Sequence, residues 1–137
     1  MKKSSKKLPK KLKPKPNSET EKKIQQKIVK MLEMKGWWVK STHGNIYQSG
    51  FPDLFATHRH YGPRWIEVKR PGRRGKRVFE PSQLKAFKEM TENGTGVWVL
   101  TGYEEADYMN LFRPYNWTHY LTDELKLELG FEPEPEE

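Results

Sequence analysis

An acid and a base set into an otherwise apolar strand restrict this chain more than any other feature. Residues 64–69 read Arg-Trp-Ile-Glu-Val-Lys, a run suited to a β-strand. Alternate residues of a strand share a face, so Glu67 and Lys69 project together while Ile66 and Val68 point the other way. A carboxylate and an ammonium on the face of a hydrophobic strand are costly unless something uses them. Alone, Glu-x-Lys would read as the solvated face of an edge strand. A second acid argues against that reading. Asp53, after Pro52, begins a strand predicted over 53–57, and His58–Pro63, with Gly62 and Pro63, reads as a hairpin turn. The hairpin carries Asp53 and Glu67 into one region. Two close carboxylates repel, and a hard divalent cation is the usual remedy. Such a cation polarises a phosphate oxygen and lowers the pKa of bound water. Lys69 beside it would orient the attacking water or offset charge developing on the phosphate.

The remaining elements follow from periodicity and punctuation. Ser18 and Glu21 have the spacing of a capping box. An amphipathic helix follows to about Lys35, with the stripe Ile24, Ile28, Met31 and Leu32, and Gly36 ends it. Glu21 and Gln25 lie at the end of that buried face. Glu21 therefore has two readings, a capping residue or a group of the acidic site, and Gln25 can equally be an ordinary surface amide. Residues 37–41 read as a strand and 43–50 as a loop containing His43. A second helix is predicted from Ser82, as N-cap, to Asn93, with Leu84, Phe87 and Met90 inward. Gln83, at its start, could touch a phosphate or a metal-bound water. Val97–Leu100 is a short buried strand, 104–111 a third helix and 123–129 a short fourth. The order αβββαβα predicts an α/β fold, one mixed central sheet flanked by helices. Trp37, Trp38, Trp65 and Trp98 are read as core and sheet-face packing, not as base-stacking platforms. His58 and His60 fall on the predicted turn and read as solvated.

Composition bounds what this site can serve. With 137 residues the chain suits one domain, and without cysteine it can build neither disulfides nor thiolate zinc sites. No apolar run is long enough to span a membrane, and no apolar stretch follows the lysine-rich start as in a secretory signal. The cytoplasm is the expected location. The net charge of +8 is unevenly spread: residues 1–17 hold eight lysines and no acid, and residues 132–137 hold four glutamates. The expected organisation is a disordered basic arm over 1–17, a domain over 18–131 and an acidic tail over 132–137. Arg70, Arg73, Arg74, Lys76 and Arg77 follow Lys69 with no intervening acid. A basic, glycine-containing loop so close to the acidic site reads as a phosphate-contacting loop.

Four segments in order carry a more specific likeness: Glu21-Lys-Lys-Ile-Gln25, Ser49-Gly50-Phe51-Pro52-Asp53-Leu54, Ile66-Glu67-Val68-Lys69-Arg70-Pro71 and Pro81-Ser82-Gln83. Pro52-Asp53 with Glu67-Val68-Lys69 resembles the signature of the PD-(D/E)XK nuclease superfamily. The four together resemble the VRR-NUC family, which includes small stand-alone nucleases of phages and bacteria. The likeness runs from about Glu21 to Gly102. It implies a restriction-endonuclease-like fold and a Mg²⁺- or Mn²⁺-dependent phosphodiesterase acting on DNA, in a bacterial or phage-infected cell. By the same likeness the metal ligands would be Glu21, Asp53, Glu67 and the Val68 carbonyl, Lys69 the catalytic lysine and Gln83 the family's glutamine after the core motif. A junction resolvase, typically a homodimer, and a nickase are two versions of such an endonuclease. The rival is a catalytically idle nucleic-acid-binding module that keeps the fold for its basic surface.

Overall fold

A computed structural model describes residues 19–42, 50–72 and 78–131. The basic arm, His43, the loop residues Arg73, Arg74, Lys76 and Arg77, and the acidic tail lie outside the described residues.

The first helix, α1 (Glu21–Met34), begins one turn signal later than the sequence suggests. Thr20 is its N-cap, and its hydroxyl accepts the Lys23 N–H at 3.1 Å. The capping pair expected from Ser18 and Glu21 involves Ser18, which lies outside the described residues; Glu21 is the first helical residue. Ile24, Ile28 and Leu32 form the buried stripe, with Met31 packed beside them.

Four strands follow: β1 (Trp38–Ser41), β2 (Leu54–His58), β3 (Gly62–Val68) and β4 (Val97–Leu100). They lie in that order in one sheet. The first two pairings are antiparallel, with Val39 opposite Ala56 and Phe55 opposite Trp65. The third is parallel and sets Glu67 beside Val99. Asp53 immediately precedes β2 instead of opening it. Gly62 and Pro63, read as turn residues, belong to β3, where His58 pairs with Gly62 and Thr57 with Pro63. The turn tightens because Gly62 takes a φ of +82°, open to glycine at little cost. Proline is tolerated there because β4 pairs with β3 only from Trp65 onward.

The parallel pairing requires a crossover, and α2 (Pro81–Glu92) supplies it. Its N-cap is Glu80, with Pro81 at the first helical position, so Ser82 lies inside the helix. Pro81 suits that place because its missing N–H would have had no helical partner. Beyond β4 come α3 (Glu105–Met109), two 3₁₀ turns (Asn110–Phe112 and Trp117–Tyr120) and α4 (Asp123–Leu129).

Strand alternation divides the core. Toward α1 the sheet presents Val39, Leu54, Ala56, Ile66, Val68 and Leu100. Toward α2 it presents Val97 and Val99, which pack with Phe79, Phe87, Trp117 and Leu121. Asn116 covers part of the β4 edge, accepting the Val99 N–H at 2.6 Å and donating to the Val99 carbonyl at 3.1 Å. Among the described residues no helix is long and apolar enough to cross a membrane.

Candidate active site

β3 places Glu67 on the α2 face of the sheet, where it is 2% exposed. Lys69 lies just past the strand end at 7% exposure. Its backbone continues the pairing with β4, donating to the Leu100 carbonyl at 3.1 Å. Its Nζ stands 3.3 Å from Glu67 Oε2 and 5.4 Å from the centre of the Phe79 ring. The alternation inferred from sequence holds: Ile66 and Val68 are buried on the opposite face.

Asp53 and Glu67 are locked together through the backbone. The Asp53 N–H donates to Glu67 Oε1 at 3.2 Å, and the Val68 N–H donates to Asp53 Oδ2 at 2.9 Å. Each carboxylate thus accepts a peptide N–H from the segment carrying the other. Thr42, at the end of β1, fixes the approach of the Pro52-Asp53 peptide. Its N–H donates to the Asp53 carbonyl at 2.9 Å, and its hydroxyl reaches the carbonyls of Pro52 and Asp53.

Gln83 completes the group from α2. Its Oε1 accepts the Glu80 N–H at 3.1 Å, and its Nε2 donates to Glu67 Oε2 at 2.8 Å. An amide has one accepting and one donating end, so the helix start dictates which end meets Glu67. Gln83 therefore caps the helix and positions the carboxylate at once.

Burial pushes the Glu67 carboxyl up to about 8, and the negative charge of Asp53 pushes the same way. Lys69 and the Gln83 amide pull in the opposite direction without cancelling the effect. Without a cation Glu67 therefore keeps its proton near neutral pH, and ionising it beside Asp53 calls for a positive partner. The donors of the pair are hard oxygens, which suit Mg²⁺ or Mn²⁺. The donor chemistry fits such an ion at Asp53 and Glu67, with the Val68 carbonyl adjacent in the chain.

Glu21 stands differently. Its Oε2 accepts the Arg70 N–H at 3.3 Å, so it meets the chain just beyond β3. Among the described residues no three His, Cys, Asp or Glu side chains gather as a metal-binding group. The structure thus assembles Asp53, Glu67, Val68, Lys69 and Gln83, and ties Glu21 to this strand end through Arg70. Arg70 itself is exposed. Gln25 is half-buried on α1. His58 packs against Trp37 and Tyr61, with ring centres 5.2 and 4.4 Å apart, and its Nδ1 accepts the His60 N–H.

Thr42, Gly50 and Phe79 belong to the site's framework without having been singled out for it from the sequence. Gly50 has a φ of +91°, and a Cβ there would lie 2.5 Å from the Ser82 carbonyl oxygen. Only glycine lets the loop before Asp53 press this closely on α2. The Ser-Gly-Phe-Pro-Asp run held the signal for Gly50, whereas nothing local marks Thr42 or Phe79.

No protein-family model and no curated protein matches the sequence. One solved structure, described as a VRR_NUC domain, is similar to it at 23% sequence identity with a TM-score of 0.52. The match covers 68% of this chain and 96% of that one. That near-complete match of the other chain agrees with the mixed sheet and flanking helices, and the chain has the fold of a VRR_NUC domain.

Proposed function

We propose that the chain is a metal-dependent DNA endonuclease that hydrolyses phosphodiester bonds. The carrying observation is the buried Glu67, joined to Asp53 through peptide N–H groups and touched by both Gln83 and Lys69. A packed core retains such a cluster at a stability cost, which favours a catalytic use over a structural one. The nuclease name of the similar domain supports the same reading.

In this proposal Asp53, Glu67 and the Val68 carbonyl hold Mg²⁺ or Mn²⁺, and Glu21 closes the set or steadies Arg70. When bound, the ion supplies Lewis acidity toward the phosphate and lowers the pKa of a coordinated water. Lys69 orients the attacking water and offsets negative charge on the phosphate as the P–O bond to the leaving oxygen breaks. The proton lost by the water ends on that leaving oxygen. Gln83 holds Glu67 in one orientation throughout. Arg70, with Arg73, Arg74, Lys76 and Arg77, holds the DNA backbone beside the site.

Supercoiled plasmid incubated with Mg²⁺, Mn²⁺ or EDTA tests this reading. Metal-dependent nicking is expected. Asp53→Ala and Glu67→Ala should each lower the rate by at least ~10²–10³, the range seen when one transition-state stabiliser is removed. Gel retardation without cutting in either metal would overturn the nuclease reading and leave a binding module.

A further inference from the structure

Among the described residues α2 packs over the β3 and β4 part of the face that carries Glu67, and the outer part of that face is aromatic. Four rings run in a row there. Trp38 lies 6.4 Å from Phe55, Phe55 lies 4.8 Å from Trp65, and Trp65 lies 5.9 Å from Phe51. Trp38 and Phe51 are 55% and 43% exposed, so Trp38 is not the packing residue that its neighbourhood in the sequence suggests. Lys40 Nζ sits 5.4 Å from the centre of the Trp38 ring at the outer end. At the inner end a cavity of about 220 Å³ opens between Phe51, Pro52, Trp65, Met90 and Thr95.

This cavity adjoins the carboxylates. Pro52 precedes Asp53 in the chain, and Trp65 precedes Glu67 by two residues on the same face, about 7 Å along the strand. We infer that the aromatic groove from Phe51 and Trp65 to Trp38 stacks an unpaired nucleobase of the DNA strand whose phosphate lies at Asp53 and Glu67. The inference rests on the nuclease reading for the position of that phosphate. Three observations select this occupant. The groove is continuous with the proposed phosphate site. Its rings can present stacking surfaces that accept any base. Lys40 adds a cation at its far end, suited to the next phosphate. A second copy of the chain is the less suitable occupant, because it would bring another body of net charge +8 against a surface that already carries a cation. A base inside an intact duplex cannot enter, so the groove selects DNA that is unpaired beside the cut.

The test uses the full chain in Ca²⁺, with 2-aminopurine placed next to the expected phosphate in either a single-stranded segment or a perfect duplex. Binding should quench the unpaired probe. Phe51→Ala and Trp38→Ala should each weaken binding of the unpaired DNA by about tenfold, with the duplex changed by less than about twofold. Phe51→Tyr, which keeps a ring, should retain wild-type affinity. If Phe51→Ala fails to fold, Trp38→Ala at the exposed end carries the test. Equal weakening on both DNAs, or no weakening, overturns the inference. So does a wild-type dimer that Trp38→Ala converts to monomer in sedimentation, which would assign the groove to a second copy. Plasmid nicking by the same wild-type preparation separates the two claims. Nicking without base dependence removes the groove and keeps the nuclease, and base dependence without nicking does the reverse.

Discussion

Ile66 and Glu67 are neighbours on β3 and almost equally buried, at 0% and 2% exposure, yet they belong to opposite designs. The α1 face closes over aliphatic and aromatic side chains from α1, the four strands, α3 and the following 3₁₀ turn, with the half-buried Arg64 set against Trp37 and Trp98 at its margin. The α2 face divides. One part packs Phe87, Val97, Val99 and Trp117, and the adjoining part holds Glu67 and Lys69 at the edge of an aromatic row. The first face holds the fold together. The second holds a buried acid at a cost in desolvation. Both are written in a single strand, since successive side chains alternate. A one-residue slip of β3 would exchange them, placing Glu67 against α1 and Ile66 at the site. The site's position therefore depends on the packing that excludes it.

Stability measurements should separate the two faces most strongly. Ile66→Ala removes a fully buried side chain and should cost about 2–5 kcal/mol in urea unfolding, with or without metal. Glu67→Gln should do the opposite in EDTA near pH 8. Burial and Asp53 raise the Glu67 carboxyl from an ordinary value of 4.5 to about 8. The folded state therefore binds more protons than the unfolded state across that window. Metal-free wild type should lose stability as pH rises from 4.5 toward 8, and Glu67→Gln should lose much less. Added Mg²⁺ should raise the wild-type melting temperature more at the upper end of the window, because binding requires the ionised carboxylate. A metal-free melting temperature that climbs equally in both proteins between these limits would break the contrast between the faces.

A smaller but still clear effect is expected at Gly50. A side chain there meets both a positive φ and the Ser82 backbone. Gly50→Ala should cost about 1–3 kcal/mol and pull the loop before Asp53 away from α2. Chemical denaturation reads the first effect and plasmid nicking the second. If Gly50→Ala retains wild-type stability, the close packing of this loop on α2 is not needed to hold the Asp53 face.

How legible each part was in the sequence follows from the range of the forces involved. Alternation along β3 and the i, i+4 stripe of Ile24, Ile28 and Leu32 are local patterns, and they located the sheet faces and α1. Local pattern points to Ser82 as the cap of α2 because serine is the more familiar capping residue. Glu80 takes the position through Pro81 and through Gln83, which caps the helix start while also serving Glu67. The C-terminal stretch was poorly legible for a different reason. Asn116 and Trp117 act through contacts with Val99 and Thr91, at separations of 17 and 26 residues. No periodicity within their own segment announces such partners.

Thr42 offers the smallest and most discriminating test. It binds the Pro52-Asp53 peptide in two ways: the backbone N–H holds the Asp53 carbonyl at 2.9 Å, and the hydroxyl reaches both carbonyls. Valine preserves the shape and the N–H but deletes the hydroxyl. Asp53 would still be held by the Thr42-position N–H and by Val68, whose N–H meets its side chain at 2.9 Å. Thr42→Val should therefore cost only about 1 kcal/mol and slow single-turnover cleavage a few-fold, while Thr42→Ser should behave as wild type. The comparison with Asp53→Ala carries the meaning. If Thr42→Val were as damaging to the rate as Asp53→Ala while remaining folded, the two backbone bonds could not hold Asp53 without the hydroxyl. The end of β1 would then belong to the catalytic face as fully as β3 does.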